Sequence, residues 1–300
     1  MWFKNLLVYR LAPDIQIKSD DLEAKLRENT LQPCGSFEME SRGWVSPRAS
    51  DRYLHSLERQ WLIQYGANQK LLPGAVVTQV AKERAAKLAE KQEHPVGRKQ
   101  MRDIRERVLE ELMPKALSRR RTLSAWIDPV NGWLVVDTAA AKKADELLES
   151  LIATDVVIGV KPLETKQSPS AQMTLWLSSG TVPAPFTIDQ DLELRASGES
   201  RATVRYVNHP LEGREIREHI TAGKVATRLA LTWKNRISFV LTEQMQIKRV
   251  AFLDMLKEET ANQAEDAEEQ FDIDFALMTG ELAALLTDLV KALGDEKTAA

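Results

Sequence analysis

Nine basic side chains fall within one short stretch of the chain: Arg98, Lys99, Arg102, Arg105, Arg107, Lys115, Arg119, Arg120 and Arg121. Only Asp103, Glu106, Glu110 and Glu111 oppose them there, although the whole chain has a formal net charge of -3. An acidic protein that gathers positive charge in one place can direct it at an anion, and a polyphosphate backbone is the commonest large one. Guanidinium groups suit phosphate because their planar fork donates two hydrogen bonds at once. A solvated helix face is the alternative that charge alone leaves open.

Sorting residues 98–113 at about 100° per residue separates three surfaces. Met101, Ile104, Val108 and Leu112 form an apolar stripe, Arg98, Arg102 and Arg105 one flank, and Asp103, Glu106 and Glu110 the other. A helix built only for solubility more often mixes the signs into i,i+4 pairs. Lys115 and Arg119 to Arg121 continue the charge into a connection that re-enters the sheet at Trp126. Trp126 and Trp133 could stack on bases, with core packing as the rival role. No zinc finger, basic zipper, helix-turn-helix or stacked-aromatic RNA signature accompanies the tract, so backbone-directed, sequence-tolerant binding is the form expected.

Other chemistries lack their residues. There is no phosphate loop and no strand-linked G-x-G-x-x-G, and no G-x-S-x-G elbow. His55, His94, His209 and His219 are scattered, and a metal pair needs a closer spacing than the ten residues between the last two. Asp272 and Asp274 could hold Mg²⁺, but they belong to an acidic run from Asp254 to Asp274 that reads as solvated surface. No catalytic residue, metal site or cofactor is expected. Cys34 stands alone, which excludes an intrachain disulfide and fits a reducing cytoplasm. No apolar run approaches the roughly 20 residues of a membrane span. The N-terminus reads as a buried strand without a signal peptide.

The elements that must position the basic tract follow from periodicity. Strands are expected over 2–11, 60–65, 156–160, 202–207, 225–233, 237–241 and 247–252. Helices are expected after Ser19-Asp20-Asp21, over 76–93, 98–113 and 139–152, after Ser168-Pro169, and over 210–221 with Gly223 as its cap. The break at Pro95 and Gly97 makes 76–113 a helical hairpin projecting from the body. Trp126 to Val136 reads as a β-hairpin, Asn131-Gly132 supplying the positive φ angles of its turn. Phe271, Phe275, Met278, Leu282, Leu285, Leu286, Leu289 and Leu293 recur at helical spacing in a long C-terminal amphipathic helix. The fold class is α+β with antiparallel sheets, and 300 residues suggest two or three subdomains.

Longer strings carry a resemblance. WFKNLLVYRL, Pro33 to Gly35, Leu112 to Asp128, Val130 to Asp145, Ala222 to Trp233 and Asp274 to Leu286 are similar to blocks of the bacterial recombination-associated RdgC family, from end to end. The resemblance implies a horseshoe-shaped subunit with central (1–74 and 116–165), tip (75–115) and base (166–300, with part of the central sheet) domains. Two such subunits would close into a ring around duplex DNA, bound without sequence preference, and restrain RecA-dependent recombination at the nucleoid. It implies a DNA-binding set of Arg98, Lys99, Arg102, Arg105, Lys115, Arg119, Arg120, Arg121, Lys224 and Arg228. It also implies a dimer interface including Leu117, Leu282, Leu285 and Leu289. Leu117 stands where the family commonly has Phe, and Asn208-His209 where some members have Lys and Gln. Single-stranded DNA is a further expected partner. A protein that inhibits RecA by direct contact and a structure-specific nuclease are the rival functions.

Overall fold

The computed structural model describes residues 2–12, 18–48, 50–157, 159–198, 200–254, 264 and 266–297. Its strands are β1 (Leu6–Arg10), β2 (Glu40–Val45), β3 (Leu54–Leu57), β4 (Gln60–Lys70), β5 (Ser118–Asp128), β6 (Trp133–Asp137), β7 (Lys161–Pro162), β8 (Phe186–Ala196), β9 (Thr203–Tyr206), β10 (Lys224–Trp233), β11 (Ile237–Thr242) and β12 (Ile247–Phe252). They form one sheet in the order β2-β4-β5-β6-β1-β12-β11-β10-β8-β9, with β3 also on β4 and β7 on β1. The two halves meet where β1 pairs antiparallel with β12 at Leu6 and Ile247. Strands from before and after residue 166 therefore share one sheet. No helix among the described residues is long and apolar enough to cross a membrane.

Alternation along the strands divides the core. Leu7, Trp44, Ile63, Ala125, Ile127, Leu134 and Val136 point to one face and pack against helices α1 (Ser19–Glu28) and α4 (Ala141–Ile152). Leu6, Val8, Leu62, Trp126 and Val135 point to the other, where they join the core built with α5 (Pro169–Ser179), α6 (Arg214–Thr221) and α7 (Ala267–Ala292). Between β4 and β5 the chain leaves the sheet as α2 (Gly74–Gln92) and α3 (Arg98–Leu112), followed by a 3₁₀ turn at Met113–Lys115. This hairpin has a small core of its own, Val77, Ala81 and Val108 ringed by Met101, Ile104 and Leu112, so the apolar stripe expected for α3 meets α2.

Several local expectations are corrected. No described residue in 156–160 forms a strand. Positive φ at Asp155 and Gly159 bends the chain there, and β7 takes up the pairing with β1 instead. The hairpin at 126–136 exists, but only Gly132 has positive φ. Asp128 makes the turn: its Oδ1 accepts from the amides of Val130 and Asn131, and its Oδ2 accepts from the Asn131 side chain. Trp126 and Trp133 are core residues, not stacking surfaces. β2, β3 and β8 were not legible at all, being rich in polar residues. Elsewhere the punctuation holds: Ser168 Oγ caps α5 by accepting from Ala171 N, and Gly223 and Gly294 adopt positive φ just beyond α6 and α7. Residues 255–263 and 265 of the acidic run lie outside the described residues.

α7 spans the seam of the sheet. Arg236 pairs with Glu281 and Trp233 Nε1 donates to Asp288 in the C-terminal half. Arg48 donates to Asp272 Oδ1 at 2.8 Å in the N-terminal half. His55 of β3 lies edge-on to Phe271 and Phe275. Its Nε2 is 3.2 Å from Asp272 Oδ1, but not in hydrogen-bonding geometry, and its Nδ1 can accept from Arg48 at 3.5 Å. Burial holds the imidazole below its ordinary pKa; Asp272 pulls it up and Arg48 pushes it down. The contact therefore favours neutral His55. Its stability is present above the ordinary imidazole value of about 6.5 and is lost as pH falls through the depressed one, because the unfolded chain takes the proton more readily. Urea unfolding midpoints are expected to fall more for wild type than for His55→Phe between about pH 7.5 and 5.5. Parallel pH curves would refute this.

Candidate nucleic-acid interface

The basic tract sits where the sheet outruns its covering helices. The first half of β5, Ser118 to Thr122, is exposed on both faces, whereas Ser124 to Asp128 are buried. Strand alternation sends Arg119 and Arg121 to one face and Arg120 to the other. Arg119 to Arg121 were expected in a connection to the sheet; they lie within it, paired with Gln69, Asn68 and Ala67 of β4.

The two faces differ in polarity. Beside Arg121, a cleft of about 230 Å³ is lined by Glu40, Arg42, Tyr65, Lys143 and Glu146, among others. Arg42 is occupied there by Glu40 at 3.3 Å and Glu146 at 3.1 Å. The Arg120 face carries Ser41, Asn68, Ser118 and Thr122 by register, all uncharged.

None of Arg98, Arg102, Arg105, Arg107, Arg119, Arg120 and Arg121 makes an ion pair with a described residue, and Lys99 makes none either; all are exposed. Lys115 lies 3.8 Å from Glu111, whose carboxyl is held below its ordinary range by its 2.6 Å hydrogen bond from Arg84. Arginines elsewhere are commonly engaged, as Arg10, Arg48, Arg195, Arg205 and Arg236 are. Exposed cations left without partners are available to an external anion at no cost in broken internal pairs.

Lys224 and Arg228 lie apart from this group. β10 is five strand spacings from β5, on the order of 24 Å. Lys224 Nζ donates to His219 Nδ1 at 3.0 Å, and Arg228 Nε lies 3.7 Å from Glu193. Burial alone would raise the Glu193 carboxyl. Hydrogen bonds from Arg205 and Thr227, with Arg228 nearby, outweigh burial and hold it below its ordinary value.

Of the expected interface leucines, Leu117 is 78% exposed at the start of β5. Leu282, Leu285 and Leu289 are 0% exposed, packed by the chain's own sheet. They are core residues and present no surface to a partner. Helical spacing finds such an apolar face but does not say whether the same chain covers it. Among the described residues, no three His, Cys, Asp or Glu side chains are placed to hold a metal ion.

Comparison with known proteins adds one family. The family model described as "RdgC: Putative exonuclease, RdgC" matches residues 1–296. A "Recombination-associated protein RdgC" from Janthinobacterium sp. (strain Marseille) is 50% identical over 296 residues, covering 99% of each chain. Proteins of the same description from Cupriavidus pinatubonensis and Bordetella pertussis are 48% and 50% identical; the first covers 100% of each chain and the second 99%.

Proposed function

The chain belongs to the RdgC family, and on that premise we propose that it binds duplex DNA through the phosphate backbone, without sequence preference, and restrains RecA-dependent recombination by occupying the duplex. The observation that carries this reading is the set of unpaired guanidinium groups on α3 and on the exposed end of β5. Lys and Arg displace condensed counterions, so affinity falls with salt at roughly 0.9 log units per log unit of salt for each contact on duplex DNA.

The assembly that fits this role is a homodimer closing into a ring. Leu117 is the interface leucine left on the surface, and a second contact at the opposite end would need residues other than Leu282, Leu285 and Leu289. A ring slides off free ends and stays on circles. Purified protein, with no RecA present, is expected to be retained on closed circular duplex after a salt challenge and lost from the same DNA once linearised. Equal loss from both forms would rule out the ring, and no binding to either would rule out DNA as the primary ligand.

The word exonuclease in the family description motivates a second reading, a nuclease. Incubation of end-labelled linear DNA with Mg²⁺ tests it, with shortening of the label as the positive result.

A further inference from the structure

The sheet accounts for one face of α7, the side of Phe275, Met278, Leu282 and Leu289. At about 100° per residue, the opposite side carries Ile273, Leu277, Gly280, Ala284, Thr287 and Lys291. Gly280, Thr287 and Lys291 are exposed, and the other three are half-buried. Their spacing of four, three, four, three and four residues is the heptad pattern of one helix packed on another. A surface helix ordinarily turns charge to solvent, yet this stripe carries none before Lys291. Acidic side chains that flank it are engaged within the chain, Glu281 with Arg236 and Asp288 with Trp233 and Lys234.

Gly280 is the least expected member of the stripe. Glycine is the poorest helix former after proline, and here it stands inside a 26-residue helix. Its own chain gives it no reason to be glycine: a Cβ built there meets nothing within 4 Å, and its φ is not positive. A missing side chain facing open space suits a second backbone that crosses close by. One turn further on, a groove of about 310 Å³ lies along Ala283, Ala284 and Thr287, rimmed by Asn131 and Lys234. The stripe maps onto itself if a second α7 lies antiparallel across it. Gly280 would then face the partner's Ala284, and Leu277 would face the partner's Thr287 and its groove. Lys291 would lay its stem over the partner's Ile273 and bring its ammonium towards the partner's Glu269, one turn earlier. A parallel pairing would set Lys291 against the partner's Lys291, like charge on like.

We propose that two copies of this chain associate through the outer face of α7, antiparallel and crossing near Gly280. This rests on the homodimer of the preceding reading and supplies the contact, separate from Leu117, that a ring requires. Sedimentation velocity on Leu117→Glu, with and without Gly280→Leu, tests it, because Leu117→Glu removes the other contact. Leu117→Glu is expected to remain a dimer. Adding Gly280→Leu is expected to weaken that dimer by roughly 100-fold, giving monomers at micromolar concentration. Helical circular dichroism and the melting temperature of the separated monomer should not fall, since a leucine at this position has open space and favours helix. A double variant that stays dimeric overturns the α7 contact and leaves the homodimer standing. A Leu117→Glu protein that is already monomeric does the same. Wild-type protein that is itself monomeric overturns both the contact and the homodimer beneath it.

Discussion

Charge reversal of Arg119, Arg120 and Arg121 to glutamate is expected to lower duplex-DNA affinity by about 500-fold at 0.1 M salt if all three meet phosphate. Each contact contributes close to 0.9 log units at that concentration through counterion release, so two contacts would give about 60-fold. The log-log salt slope should flatten by about 2.7 or 1.8 in the same two cases. Because these side chains are exposed and make no ion pair with a described residue, the variant should fold normally, its melting temperature reporting only small surface effects. Strand alternation makes the experiment more informative. Arg119→Glu with Arg121→Glu alters one face, and Arg120→Glu the other. If the duplex lies along one face, only one of these variants moves the slope. A slope unchanged by the triple variant would remove the exposed end of β5 from the interface.

Leu285→Ala should destabilise the fold by about 3 kcal/mol, within the ~2–5 kcal/mol typical of buried leucine truncations. That corresponds to roughly 5 °C in melting temperature for a chain of this size. The side chain is fully buried between α7 and the sheet, so the loss combines transfer free energy with an unfilled cavity. The discriminating feature is concentration: a core defect lowers the melting temperature equally at low and high protein concentration. An interface defect would lower assembly mass and make the change concentration-dependent. Leu117→Ala supplies the opposite pattern, because a 78% exposed side chain has little core packing to lose. A concentration-dependent effect at Leu285, with normal unfolding of the separated subunit, would return Leu285 to the interface.

Much of the site could be read from order along the chain. Pro95 and Gly97 broke the helical pattern, and the apolar stripe of α3 found its partner on α2 as the 3.6-residue period requires. The same period found α7 and its apolar face; only the family resemblance gave that face to another subunit, and the chain's own sheet covers it. Periodicity failed for β2 and β8, where its signal is diluted by polar residues and pairing with neighbouring strands sets the structure. The Asn131-Gly132 turn was anticipated at the right place with the wrong chemistry, because Asp128 satisfies the turn amides through its side chain.

By itself, the sequence determined that positive charge is gathered between residues 98 and 121, that the fold mixes helices with antiparallel strands, and that family-specific strings run the length of the chain. Those properties are local or compositional and survive without coordinates. Tertiary structure alone decided which cations are free, since pairing depends on carboxylates distant in sequence, as Glu193 is from Arg228. It divided Arg119 and Arg121 from Arg120 by placing all three in a strand. It also buried Lys70 against the carbonyls of Gly35 and Ser36, a contact between residues more than thirty positions apart that no period or motif encodes.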